Sequence, residues 1–70
     1  MGFYVYMLRS NSKKSVTYVG YTNDLEKRVK LHNSGKGAKF TRGRQWKLIY
    51  KEFFRSKNKA ISREYYIKKN

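Results

Sequence analysis

Five side chains in this sequence could do chemistry together: Tyr6, Tyr18, Arg28, His32 and Glu64. A guanidinium forks onto phosphate oxygens, and a neutral imidazole gives or takes a proton near pH 7. A phenol can relay or position a proton, and a carboxylate can hold a hard cation such as Mg²⁺. That set suits hydrolysis of a phosphodiester. Arg28 and His32 are four residues apart, so they are neighbours on one flank of a helix. Glu64 shares a row with Ala60 and Ile67, with Ile61 three residues before it, which puts a carboxylate inside an apolar stripe. A carboxylate so placed must be paired or must hold a cation. Each residue also has an ordinary role open to it. Tyrosines pack on half-buried strands, a single histidine on an inner stripe can be a satisfied core residue, and Glu64 can pair with Arg28 or a neighbour of Arg63.

These residues need elements to position them. Phe3 to Arg9 is apolar or aromatic on both alternating faces, which predicts a central strand covered twice. Val16 to Tyr21 is β-branched and aromatic and predicts a second strand. The polar connection from Ser10 to Ser15 is short enough for an antiparallel hairpin, centred near residue 12, across which Tyr6 and Tyr18 would meet. Gly20 alternates with Tyr18, and a strand glycine marks a close approach by backbone or ligand. A helix follows, with Thr22 or Asn23 as N-cap and Glu26 completing a capping box with Asn23. Asp24 and Glu26 suit the positive end of its dipole. Leu25, Val29 and His32 form its inner stripe, and Asn33, Ser34 and Gly35 end it. Ser34 to Gln45 is a glycine-rich basic loop, Trp46 to Phe54 a third strand, and Ala60 to Lys69 a final helix capped by Ser56 or Asn58.

The chain has 70 residues, no Cys and no Pro, and its 18 Lys and Arg face four acids for a formal net charge of +14. That is one small domain spanning residues 1–70, without disulfides or a thiolate metal site, as suits a reducing cytoplasm. No apolar run approaches the roughly 20 residues of a membrane span, and the N-terminus is too short and aromatic for a signal peptide. Helix one lacks the broad apolar face of a membrane-surface binder. The charge points to a polyanionic partner, DNA or, as the alternative, RNA. In the loop, Lys36, Lys39, Arg42 and Arg44 suit a phosphate backbone better than base edges, since such contacts position rather than specify. Four acids are too few for a two-metal nuclease. One ion held by one carboxylate, waters and substrate oxygens is compatible with Mg²⁺.

The order of the motifs resembles the GIY-YIG nuclease superfamily: "YVY" at Tyr4 to Tyr6, "YVG" at Tyr18 to Gly20, then Arg28, His32 and the helical Glu64. The sequences "YVGYTNDLEKRVKLHNSGKGAKFTRGR" and "AISREYYIKK" are similar to the small stand-alone bacterial members. The resemblance implies an α/β (α+β) domain, a three-stranded antiparallel sheet flanked by helices, that cuts DNA with one Mg²⁺. It implies Tyr6 and Tyr18 as the tyrosines of the two motif halves, with Gly20 structural. Arg28, His32 and Glu64 match the helical arginine, the following His or Tyr, and the metal-binding glutamate. By analogy it implies selection by DNA structure rather than sequence, and a setting in repair or recombination. So small a chain is also expected to depend on a protein partner for targeting. A non-catalytic nucleic-acid-binding module on the same fold is the competing expectation. Two departures stand out. Tyr4 occupies the place of the first glycine of the GIY element. The chain ends at Asn70, six residues after Glu64, with no segment to supply the later asparagine of many members, as a chain truncated at its C-terminus would.

Overall fold

The computed structural model describes residues 2–11 and 13–69. Three strands, β1 (Phe3–Ser10), β2 (Thr17–Thr22) and β3 (Trp46–Phe54), form one antiparallel sheet in the order β2-β1-β3. Helix α1 (Leu25–Asn33) follows β2, a 3₁₀ turn at Lys39–Thr41 breaks the basic loop, and α2 (Lys57–Lys69) ends the fold. The doubly apolar pattern of Phe3 to Arg9 has its physical reason here: β1 is the central strand, with neighbours on both edges and a core on each face.

The alternation of β1 splits the core in two. Val5 faces one side with Val19 and Ala60 of α2, joined by Met7 and Ile67. Tyr6 and Leu8 face the other with Trp46, joined by Leu25 and Val29 of α1. The two helices therefore cover opposite faces. Burying the Leu8 side chain completely contributes about 2 kcal/mol, an upper value for a chain this small.

The hairpin register differs from the expected one. Tyr6 lies opposite Gly20 and Tyr18 opposite Leu8, so the two tyrosines are diagonal neighbours on one face rather than a direct pair. The connection is one residue further along than a centre at residue 12 requires, and Ser12 itself lies outside the described residues. On the other side of β1 the register shifts by one between Met7 and Leu8, which leaves Ile49 of β3 as a bulge.

Both helix starts also differ from expectation. Neither Thr22 nor Asn23 caps α1. Asp24 does, its carboxylate accepting the Lys27 N–H at 3.1 Å. The Thr22 hydroxyl instead accepts the Asp24 N–H at 3.1 Å, a turn that sets the chain up for the helix. Glu26 closes no box and lies 3.6 Å from Lys30 on the exposed face. α2 begins three residues earlier than Ala60, with Ser56 rather than Asn58 at its head, where it accepts the Lys59 N–H at 3.4 Å. At the end of α1 the Asn33 carboxamide accepts from the Trp46 N–H and donates to the Trp46 carbonyl, tying the helix to the start of β3.

Candidate active site

A cleft of about 400 Å³ opens where the β2 edge passes between the two helices, and Tyr6, Tyr18, Gly20, Arg28 and Glu64 line it together with Lys57. β1 contributes Tyr6, β2 contributes Tyr18 and Gly20, α1 contributes Arg28 and α2 contributes Glu64 and Lys57. Tyr6 and Glu64, 58 positions apart in the chain, thus meet at one sheet edge.

Gly20 lets this happen. A Cβ there would lie 2.6 Å from the Tyr6 hydroxyl and 2.9 Å from its ring carbon Cζ. The absent side chain leaves the Tyr6 phenol room to cross β2 and reach the cleft. Tyr6 is otherwise buried, 2% exposed. Its hydroxyl is 2.8 Å from Nε2 of His32. The Tyr6 pKa is raised well above that of an ordinary phenol, first by burial and then by the Tyr18 phenol, with Glu64 adding to it and Arg28 opposing. Tyr6 therefore rests as the neutral phenol. Tyr18 packs its ring 4.9 Å from His32, 6.4 Å from Tyr6 and 6.1 Å from Phe40, with the Lys68 ammonium 5.7 Å above it.

His32 does not line the cleft. It stands behind Tyr6, 1% exposed, with Nδ1 2.9 Å from the Thr41 hydroxyl. Burial, and then the Arg28 charge, lower its pKa. The imidazole is thus held neutral, and the unfolded chain binds a proton near pH 6.5 more readily than the native one does. Native stability therefore falls as pH drops from 7.5 to 5.5. Urea melts at both pH values should show a larger loss for the wild type than for His32→Gln. Equal losses would show that this imidazole is not held neutral by the fold.

Glu64 is mostly buried, its side chain 16% exposed, and its Oε2 lies 3.0 Å from the Lys68 ammonium. The pairing expected with Arg28 or a neighbour of Arg63 is replaced by this i,i+4 bridge, while Arg63 binds Glu52 at 2.8 Å. Of the apolar stripe drawn around Glu64, Ala60 is fully buried and Ile67 packs on the core, but Ile61 faces solvent at 37% exposure. Among the described residues no three His, Asp or Glu side chains gather, so a cation held here would have Glu64 as its protein ligand and water or substrate oxygens as the rest. A hard ion that keeps its waters fits such a donor set.

The loop cations sit elsewhere. Lys36, Lys39 and Arg42 are exposed and Arg44 is half-buried, and none lines the cleft. Sequence reasoning missed Lys57, Lys68 and Thr41. The i,i+4 spacing from Glu64 was a signal for Lys68; nothing periodic marked Thr41.

The fold is an α+β domain whose cleft holds one carboxylate among the described residues, and the sequence model of the GIY-YIG catalytic domain matches residues 2–70. The chain belongs to the GIY-YIG family of nucleases, enzymes of nucleic acid that generally use divalent metal ions. Its similarity runs to the small bacterial UPF0213 proteins of that family. It is 60% identical over 67 residues to UPF0213 protein CPE1444 of Clostridium perfringens, covering 94% of this chain and 70% of that one. It is 53% identical over 68 residues to UPF0213 protein YazA of Bacillus subtilis, covering 96% of this chain and 65% of that one. The chain thus spans about two thirds of the length of these relatives. The solution NMR structure of UPF0213 protein BH0048 from Bacillus halodurans superposes with a TM-score of 0.58 at 45% identity, covering 100% of this chain and 73% of the other. No helix among the described residues is long and apolar enough to cross a membrane.

Proposed function

We propose that this chain is one catalytic domain over residues 1–70, a Mg²⁺-dependent DNA endonuclease of the cytoplasm. It selects DNA structure over sequence and serves repair or recombination, with a protein partner for targeting. The observation that carries the reading is the meeting of Tyr6, Tyr18, Arg28 and Glu64, the only cleft carboxylate among the described residues, around one opening at the sheet edge. Glu64 would hold the ion, which when bound supplies Lewis-acid stabilisation of charge on the phosphate and leaving oxygens. Lys68 would give up its bridge to Glu64, a change within reach of a half-exposed, flexible side chain.

The remaining roles fall to this chain's own groups. Arg28 neutralises charge growing on the phosphoryl oxygens. A phenol held neutral cannot wait as a phenolate, so Tyr6 must pass its proton to Nε2 of His32 as it takes one from the attacking water. The water O–H and Tyr6 O–H bonds break, new Tyr6 O–H and Nε2–H bonds form, and the P–O bond to the leaving oxygen breaks as the new one forms. The leaving oxygen takes its proton from solvent, and the imidazolium returns its own to solvent afterwards. Tyr18 positions the water or phosphate. Lys36, Lys39, Arg42 and Arg44 contact the backbone of the strand beyond the cleft, where a net charge of +14 already draws it.

The test is direct. Branched, nicked, single-stranded and plain duplex DNA are incubated with the protein in Mg²⁺ or in chelator. Metal-dependent cutting that ranks the substrates by structure is the expected result. Tight binding with no cutting of any substrate would assign the chain to the competing class, a nucleic-acid-binding module.

A further inference from the structure

The basic loop does more than present cations: it closes over the back of His32. Gly37 passes so near the ring that a Cβ there would collide with Nδ1, and the 3₁₀ turn brings the Thr41 hydroxyl to 2.9 Å from the same atom. Thr41 is fully buried. The Trp46 indole N–H donates to its carbonyl at 2.9 Å, and its own N–H donates to the Ala38 carbonyl at 3.1 Å.

The protons in this network can be placed by elimination. The Thr41 hydroxyl oxygen and the Ala38 carbonyl oxygen are 2.9 Å apart. Two oxygens that close repel unless a proton lies between them, and a carbonyl has none. The Thr41 proton is therefore committed to Ala38. The same hydroxyl oxygen accepts the Ala38 N–H at 3.1 Å and still faces Nδ1. With its one proton spent, Thr41 can only accept from the ring. Nδ1 must then carry the hydrogen, and Nε2 of a neutral ring is bare. A bare Nε2 at 2.8 Å accepts from the Tyr6 hydroxyl.

We propose that Thr41 is a positioning residue: it fixes His32 as the Nδ1–H tautomer and so keeps Nε2 open to the Tyr6 proton. This rests on the role given to His32 above and deepens it. The fold holds the chain of donors in one direction, from Tyr6 to His32 to Thr41 to Ala38. Thr41 lies between Lys39 and Arg42, so the segment read as a backbone-contacting loop also sets the acceptor inside the site.

The chain has a single histidine, so a sample labelled with ¹⁵N in the imidazole gives one pair of ring nitrogen signals. At pH 7.5 without metal or DNA, the wild type should show a protonated Nδ1 and a bare Nε2. Thr41→Val removes the acceptor and should shift the tautomer ratio toward Nε2–H by roughly tenfold, the size of one buried hydrogen bond. Thr41→Ser keeps the hydroxyl and should restore the wild-type signals. On a cut substrate, Thr41→Val should lower the rate at saturating DNA and leave half-saturation in place, with Thr41→Ser rescuing it. A wild type with the proton on Nε2 overturns the proposal even if Thr41→Val fails to fold. So does a folded Thr41→Val with unchanged ring signals. A wild type with the expected signals that cuts no DNA would leave this assignment standing and defeat the nuclease reading.

Discussion

Replacing Glu64 by glutamine is expected to lower Mg²⁺-dependent DNA cutting by about a thousandfold or more, the several kcal/mol that one Lewis-acid contact contributes to a phosphoryl transition state. The reason is local. Glu64 is the only carboxylate lining the cleft among the described residues, and its side chain is 16% exposed, so no described neighbouring acid can take over the ion. Glutamine keeps the shape and removes the charge. What the fold loses is one i,i+4 bridge to Lys68, worth a few tenths of a kcal/mol, and thermal melting should barely move. Binding should not weaken either, since the change removes a negative charge from a chain already at +14. Glu52→Gln is the matched control. It removes the same charge, from a carboxylate that binds Arg63 at 2.8 Å outside the cleft, and should leave cutting intact. The measurement is single-turnover cutting with a mobility-shift assay on the same DNA. Equal cutting by Glu64→Gln and wild type would remove the metal site from this cleft.

The candidate site was legible in the sequence as far as local periodicity reaches. Three strands and two helices follow from patterns of period two and near four, and the central place of β1 follows from its two apolar faces. Glu64 was visible because a charge between Ala60 and Ile67 breaks a pattern that burial would otherwise enforce. Register was harder. A polar turn without Gly or Pro between strands fixes no loop length, and a shift of two in pairing is enough to place Gly20 rather than Tyr18 opposite Tyr6. That shift matters chemically, because the space over Gly20 is what the Tyr6 hydroxyl uses. The N-cap was undetermined because Thr22, Asn23 and Asp24 are all good caps in a row, and in the fold the third is the one whose carboxylate accepts from the first turn. Thr41 had no local signature at all. Its meaning comes from a contact with His32 nine residues earlier across an irregular loop.

Tyr6→Phe gives the second large effect and separates Tyr6 from Tyr18. The variant removes one hydroxyl and keeps the ring that packs with Leu8 and Trp46. Its stability cost should be about 1 to 3 kcal/mol, since Nε2 of His32 is left buried without a donor. Cutting should fall by about 10² to 10⁴, the usual worth of a positioned proton acceptor. Any residual reaction then depends on hydroxide from solvent, so its rate should climb with pH across the range where the wild-type rate is expected to be flat. Tyr18→Phe lacks that logic: its phenol has no route to His32 comparable to the 2.8 Å contact of Tyr6, so its loss should weaken cutting without steepening the pH profile. The two profiles, measured at saturating Mg²⁺ and DNA, decide between them. If Tyr18→Phe gives the steeper profile and Tyr6→Phe the flat one, the proton path runs through the other tyrosine, and the Tyr6–His32 contact is a core hydrogen bond.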